Sequence, residues 1–126
     1  MICAPTARLR RRRGIDNADQ AVAAALDIQR AVRADLGDEL QVGIGLNTGK
    51  VIAGTIGGGG KLEYTVIGDA VNVASRVEQL TKVTGDGILV TEATAASLSS
   101  RVALLDRGQH EVRGKAAPIA VFAVPC

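Results

Sequence analysis

Aromatic side chains are nearly absent from this 126-residue sequence, which has no Trp, one Tyr and one Phe. A hydrophobic core built from it must therefore be aliphatic and rich in Ala. The sequence also lacks an apolar run long enough to cross a membrane, and residues 1–14 lack the hydrophobic stretch of a secretory signal. We therefore expect a cytoplasmic protein with no membrane partner.

Residues that commonly bind metals or form disulfides are also scarce. Cys3 and Cys126 lie at opposite ends of the chain, and His110 is the single histidine. This spacing is not that of a metal centre, and two free thiols are favoured over a structural disulfide. We expect His110 to be exposed in a loop.

The positive net charge of +2 comes from one short segment. Five arginines, Arg8 and residues 10–13, precede the first periodic segment, and without them 10 basic residues face 13 acidic ones, a charge of −3. We interpret residues 1–15 as a disordered basic leader and residues 16–126 as one domain. A nucleic-acid-binding tail is the alternative, but the run has no interleaved aromatic residue, so we expect no nucleic-acid partner.

Hydrophobic periodicity predicts the elements of the domain. A helix over 18–36, capped by Asp16 or Asn17, ends at Gly37. A strand over 41–46 and a second over 50–56 are predicted to form a hairpin through the turn at 47–49. The further predicted elements are a strand over 62–66, a helix from Asp69 as its N-cap to about Val83, a strand over 88–90, a helix over 92–98, and strands over 102–105 and 119–124 joined by a connection over 107–115.

Two polar residues of the second predicted helix are candidates for a binding site. Asn72 and Arg76 are four residues apart and therefore share a helix face. Arg offers a fixed, charged fork for phosphate oxygens, and Asn can hold a neutral ribose oxygen without adding charge. The alternative is a solvated Asn72 and an Arg76 paired with Glu78 or Asp69.

Several ordered blocks decide between these interpretations. They are Gly43–Gly49 (GIGLNTG), Gly54–Gly57 (GTIG), Tyr64–Arg76 (YTVIGDAVNVASR), Leu105–Gly108 (LDRG) and Val112–Lys115 (VRGK). Together they closely resemble the second half of the catalytic domain of class III nucleotide cyclases, the adenylyl and guanylyl cyclases, and most of all the bacterial adenylyl members. The resemblance covers about residues 16–124.

The resemblance implies an α+β fold, the ferredoxin-like palm of the nucleotide cyclases, here lacking its N-terminal strands. It also implies roles for four residues. Asn72 orients the ribose, Arg76 stabilises charge on the α-phosphate, Lys115 binds the terminal phosphates, and Thr65 reads the purine edge, with a hydroxyl that favours ATP. For Lys115 taken alone, the alternative is a solvated loop lysine.

The family reaction converts ATP to cyclic AMP and pyrophosphate with two Mg²⁺ or Mn²⁺ ions held by two aspartates. Those aspartates and a purine-reading Lys have no counterpart here, so we expect no metal site in this chain and no activity of the chain alone. Cyclase sites form between two subunits, which implies a homodimer or a heterodimer with another class III subunit. The alternative function is a noncatalytic or complementing subunit that binds nucleotide or regulates an intact cyclase.

The lack of N-terminal strands in the implied fold would also affect stability. Central strands of the implied sheet would be missing, which exposes an apolar edge. The lost burial exceeds the roughly 5–15 kcal/mol by which domains are stable. We therefore expect poor solubility or folding that depends on a partner.

Overall fold

The computed structural model describes residues 4–5, 17–37, 39–58, 61–99, 103–113 and 115–125, with residues 4–5 and 53–66 described by their backbone alone. These residues form three helices and eight strands. In chain order they are β1 (Ala4–Pro5), α1 (Asn17–Leu36), β2 (Ile44–Leu46), β3 (Thr48–Gly49), β4 (Ile52–Gly58), β5 (Lys61–Ile67), α2 (Asp69–Thr84), β6 (Ile88–Thr91), α3 (Glu92–Ser97), β7 (Leu105–His110) and β8 (Ile119–Ala123). The predicted α+β class is confirmed.

A four-stranded sheet in the order β2-β6-β8-β7 is the centre of the fold. Strand β2 runs parallel to β6, whereas β8 is antiparallel to both of its neighbours. Two smaller pairs complete the strands: β1 lies parallel to β3, and β4 and β5 form an antiparallel hairpin.

Helices cover both faces of the sheet, and the side chains of β6 show this directly. Ile88 and Val90 pack into a cluster with Val22 and Ala25 of α1. Leu89 points the other way, into a cluster with residues of α2. A strand that is buried on both faces has no polar alternation, and accordingly all four residues of β6 are buried.

Both long helices end as the sequence predicts. Helix α1 stops at Gly37, which has a φ of +57° and donates its N–H to the Arg33 carbonyl at 3.0 Å. Helix α2 stops at Gly85 in the left-handed conformation, where its N–H bonds the Thr81 carbonyl. In both cases glycine takes the left-handed backbone without a Cβ penalty.

A buried amide ties α1 to the start of the parallel strand pair. The Gln29 Nε2 group donates to the carbonyls of Val42 at 2.6 Å and Gly87 at 2.9 Å. These carbonyls lie just before β2 and β6, so one side chain sets the relative position of the two strands.

The predicted hairpin between 41–46 and 50–56 is wrong. Strand β2 pairs with β6, and the true hairpin joins β4 to β5, with Ile52 opposite Ile67. A tight two-residue hairpin turn needs positive φ, which Asn47, Thr48 and Gly49 do not have. The chain therefore continues in a nearly extended form from β2 into β3.

Two other sequence predictions also need correction. The segment 107–115 is partly strand, because β7 extends to His110 and pairs with β8 through a register shift. His110 is therefore in a strand, not a loop, and its Nε2 lies 2.9 Å from the Arg107 carbonyl.

Of the expected disordered leader, residues 1–15, the structure describes Ala4 and Pro5. These two residues pair with Thr48 and Gly49. The arginine run lies outside the described residues, and its order stays a prediction. Within the described parts of the chain, none of the helices has the length and hydropathy needed to span a bilayer.

Helix α2 packs unusually close to β2 because glycines face it. A Cβ added at Gly45 would lie 2.7 Å from the Ala74 carbonyl oxygen and would also overlap the backbone N of Glu78. The glycines and the α2 residues that they face are Gly43 with Thr81, Gly45 with Ala74 and Glu78, and Gly49 with Ala70. We call this the glycine seam.

We predict that Gly45→Ala destabilises the protein by about 3 kcal/mol, since the new methyl meets backbone atoms that cannot move without shifting α2. Urea unfolding followed by circular dichroism measures the effect. The control is Gly108→Ala, whose methyl meets nothing within 4 Å at a φ of +81°, so it costs only the left-handed backbone, about 1 kcal/mol. Equal losses for the two variants would contradict close packing at the seam.

A bidentate ion pair joins the loop before β6 to β7. Arg107 donates through Nε and Nη2 to the Asp86 carboxylate at 2.8 and 2.9 Å. These bonds from Arg107 lower the pKa of Asp86 below its ordinary value of 3.8, although partial burial opposes them. Because the folded pKa lies below the unfolded one, the pair stabilises the fold above the unfolded pKa and loses that contribution as pH falls through the folded pKa.

We therefore predict that Asp86→Asn lowers the free energy of unfolding at neutral pH and that this difference decreases as the pH falls below the ordinary carboxyl pKa of 3.8 and through the lower pKa of the folded protein. Urea titrations of both proteins at each pH measure it. Asp35→Asn, at an exposed carboxylate of α1 with no ion pair among the described residues, is the matched control and should change stability little at either pH. A difference that persists unchanged in acid would show that charge pairing is not its cause.

Candidate functional site

The candidate site is built on the first turns of α2, and Gly68 allows that helix to begin where it does. Gly68 precedes the helix with φ +157° and ψ 163°. A Cβ there would lie 3.1 Å from the Lys50 carbonyl oxygen and 3.3 Å from the Val51 Cα. A glycine is therefore needed for β5 to turn into α2 so close to the link between β3 and β4.

A buried polar network fixes the same helix end from below. The Asn47 Nδ2 donates to the Ala70 carbonyl at 3.0 Å, and Asn47 Oδ1 accepts the Thr91 hydroxyl at 2.8 Å. Thr91 also caps α3 by accepting the N–H of Thr94, and the Thr94 hydroxyl lies 3.0 Å from that of Thr48. Asn47 thus joins β2, β6 and the first turn of α2.

The buried role of Asn47 was not predicted, because the residue was expected to lie in a turn. The sequence pattern that could have indicated this role is a polar residue directly after an alternating strand, followed by the small residues that the glycine seam requires. Asn47 has a relative exposure of 6%, and buried amides of this kind are nearly always fully hydrogen-bonded.

Asn72 and Arg76 lie together on α2, as predicted. Asn72 is exposed and Arg76 is half-buried. Arg76 Nη1 donates to Gln79 Oε1 at 3.4 Å, and among the described residues its guanidinium forms no ion pair with Glu78 or Asp69. The expected alternative pairing is therefore not seen, and the guanidinium has capacity for further acceptors.

Lys115 is brought to the same end of α2 by an ion pair. Its Nζ lies 2.5 Å from Asp69 Oδ2, and Asp69 is three residues before Asn72 on the same side of the helix. The alternative of an isolated, solvated lysine is thus not what the structure shows.

The expectation that Asp69 caps α2 is wrong. Gly68 is the N-cap, and it makes no side-chain cap hydrogen bond. Asp69 is the first helical residue, and its carboxylate contacts Lys115 instead. An acidic residue in the first turn still interacts favourably with the helix dipole.

Thr65 lies in β5, where its backbone pairs with Gly54. Its side chain lies outside the described residues, so the predicted contact with a purine stays a prediction. Eleven residues along the chain separate it from Arg76, and the β5–α2 corner at Gly68 connects the two elements.

A cavity of about 540 Å³ opens beside the Asp69–Lys115 pair. Its rim carries charges of both signs, from Lys50, Asp69, Glu92 and Lys115, and its floor includes Asn47. Asn72 and Arg76 do not line it. The candidate site is therefore the open face of α2 together with Lys115, which also borders this cavity.

In the described parts of the chain no three His, Cys, Asp or Glu side chains lie close enough together to hold an ion.

The fold is that of a known class of protein. The chain belongs to the family described as the adenylate and guanylate cyclase catalytic domain, whose family model matches residues 1–124. The match begins before residue 16, so the similarity to the family extends further towards the N-terminus than the predicted range of residues 16–124.

Individual relatives agree with the family. The chain is 44% identical over 89 residues to an adenylate cyclase from Anabaena cylindrica, a match that covers 68% of this chain and 18% of that protein. It superposes on a bacterial light-regulated adenylyl cyclase with a TM-score of 0.73 at 30% identity, covering 85% of this chain and 33% of that one. It also superposes on the guanylate cyclase domain of RhGC from Catenaria anguillulae, solved in complex with GTP, with a TM-score of 0.74 at 30% identity, covering 89% and 61%. The chain therefore spans between about a fifth and three fifths of these relatives.

We predict that Asn47→Ala destabilises the protein by about 2 kcal/mol, because the buried Thr91 hydroxyl loses its acceptor and a cavity is left. Asn72→Ala is the matched control, since the same change at an exposed amide should cost less than about 0.5 kcal/mol. Thermal and urea unfolding of both variants measure the difference. Equal losses would mean that the buried network does not fix α2.

Proposed function

We propose that this chain is the nucleotide-orienting part of an adenylate cyclase catalytic domain, inactive alone and active with a subunit that supplies metal-binding carboxylates. One observation carries the proposal: the Asp69–Lys115 pair brings a lysine to the helix face that bears Asn72 and Arg76. Three groups suited to a phosphorylated nucleotide are thereby aligned on one exposed surface.

The alignment follows the helix axis. With a rise of about 1.5 Å per residue, Asp69 and Arg76 are roughly 10 Å apart along α2, and Asn72 lies between them. In the proposed reaction the ribose 3′-hydroxyl attacks the α-phosphate and pyrophosphate leaves. Asn72 holds a ribose oxygen, Arg76 stabilises the charge that develops on the α-phosphate, and Lys115 binds the terminal phosphates.

Mg²⁺ or Mn²⁺, when bound, would supply activation of the nucleophile and neutralisation of phosphate charge. Since the two metal-binding aspartates of the family have no counterpart in this sequence, we assign these carboxylates to the other subunit. The proposed assembly is thus a heterodimer with a class III cyclase subunit, whereas a homodimer of this chain would not supply them.

A partner is also supported by the base of the β4–β5 hairpin. Ile52 and Ile67 face each other in register and have relative exposures of 75% and 52%. Neighbouring apolar side chains that remain this exposed are typical of a surface that another protein covers. We propose that the partner subunit covers them.

ATP is the proposed nucleotide, for two reasons. The Thr65 hydroxyl, at the position from which the family reads the purine, is typical of adenylyl members, and the Anabaena relative is an adenylate cyclase. Nucleotide choice is therefore assigned to Thr65, separately from the α2 face. We propose that the reaction takes place in the cytoplasm.

The proposal is tested by complementation. The full chain is mixed with an intact class III adenylyl cyclase subunit whose own Asn and Arg at these positions are substituted, and cyclic AMP formed from Mn²⁺-ATP is measured. We expect no activity from either protein alone and clear activity from the mixture. Arg76→Ala in this chain should lower the restored rate about 100-fold or more, since it removes a group that acts on the transition state.

Arg33→Ala is the matched control, because it removes an exposed arginine of α1 that lies outside the proposed site, and the restored rate should not change. Activity of the chain alone would overturn the assignment of the metal ligands to the partner. Saturable ATP binding without turnover in the mixture would instead favour the alternative function, a noncatalytic subunit that regulates an intact cyclase.

A further inference from the structure

The Asp69–Lys115 ion pair places a carboxylate where phosphate is expected. We propose that Asp69 sets the affinity of the site for polyphosphate by competing with it for the Lys115 ammonium. This inference rests on the proposed function, because it takes Lys115 as a phosphate-binding group. Asp69 would thus be an affinity-determining residue that does not itself contact the reacting atoms.

The contact is direct and occupies one of the three hydrogens of the Lys115 ammonium. Nζ of Lys115 lies 2.5 Å from Asp69 Oδ2, so the two charges touch. A phosphate oxygen that takes the same ammonium hydrogen must replace this carboxylate oxygen. A phosphate oxygen that takes another hydrogen of this ammonium would remain beside the Asp69 carboxylate and be repelled by it, so the existing pair weakens binding through Lys115 in either case.

The surroundings allow such an exchange. The side chains of Lys115 and Asp69 are 39% and 59% exposed, so an anion can approach from solvent. The Lys115 backbone is held, because its N–H donates to the carbonyl of the buried Val112 at 3.0 Å. The side chain can change partner while its attachment point stays in place.

Charge determines the direction of the effect. Asp69 contributes the negative charge in direct contact with Lys115, and Lys50 and Glu92 line the same cavity. A polyphosphate carries more charge than one carboxylate and can displace it, but the remaining carboxylate then repels the bound ligand. Removing the carboxylate frees the ammonium and removes this repulsion, and both changes favour polyphosphate.

The experiment uses inorganic tripolyphosphate as the probe and isothermal titration calorimetry on the full chain at low salt. Asp69→Asn should bind tripolyphosphate about three- to tenfold more tightly than the unsubstituted chain, and the gain should shrink at high salt because the pair is partly exposed. Asp69→Ser should also bind tripolyphosphate more tightly than the unsubstituted chain. With two variants, a folding defect in one of them does not decide the result. Circular dichroism confirms that each variant is folded.

Two further proteins separate competition from a general charge effect. Lys115→Gln should weaken binding, and adding Asp69→Asn to it should give a smaller gain than in the unsubstituted chain, because no ammonium remains to be freed. Asp27→Asn is the matched control: it removes the same charge from a surface pair with Arg30 on α1 and should leave affinity unchanged.

Weaker binding by Asp69→Asn would overturn the inference and make Asp69 a residue that positions Lys115. Equal affinities of the Asp69 and Asp27 variants, or no tripolyphosphate binding by any variant, would also overturn it. The complementation assay reports separately on the proposed function. Restored cyclase activity without the predicted affinities rejects competition alone, whereas the predicted affinities without restored activity reject the cyclase role alone.

Discussion

The close contact between α2 and β2 is the constraint on which the rest of the structure depends. Glycines on the strand let the helix backbone approach to a distance that any side chain would prevent, as the 2.7 Å between a Cβ at position 45 and the Ala74 carbonyl oxygen indicates. The helix therefore cannot rotate or translate without meeting the strand. Asn72 and Arg76 lie on the outer side of α2, so their positions relative to the sheet are fixed together with the helix.

The buried amide of Asn47 completes this arrangement at the helix end. The seam fixes the distance of α2 from the sheet, and the bond from Asn47 to the Ala70 carbonyl fixes it along its axis. The contacts that hold α2 in place thus lie on one side of the helix, and the candidate site residues Asn72 and Arg76 lie on the other. Preorganisation of this kind lets a short polar surface act on a ligand without first having to become ordered.

The helices and the α2 face could be predicted from the sequence, because periodicity and end signals such as Gly37 are local. Strand pairing could not be predicted, since the parallel partners Ile44 and Ile88 are 44 residues apart and nothing in either segment specifies the other. The Asp69–Lys115 pair was missed for the same reason. The residue types at Asn72, Arg76 and Lys115 were predicted as a site through the family resemblance, whereas the supporting role of Asn47 required the three-dimensional contacts.

The close approach of Gly68 to Val51 has a consequence for the segment between them. A Cβ at Gly68 would be 3.3 Å from the Val51 Cα, so the two ends of the β4–β5 hairpin lie close together where they join the rest of the domain. Such an excursion can be lengthened, shortened or exchanged at its tip with little effect on the flanking elements, because the entropy of loop closure changes slowly with length. The tip of the hairpin can thus change in length while the helix that follows it stays in register with the sheet.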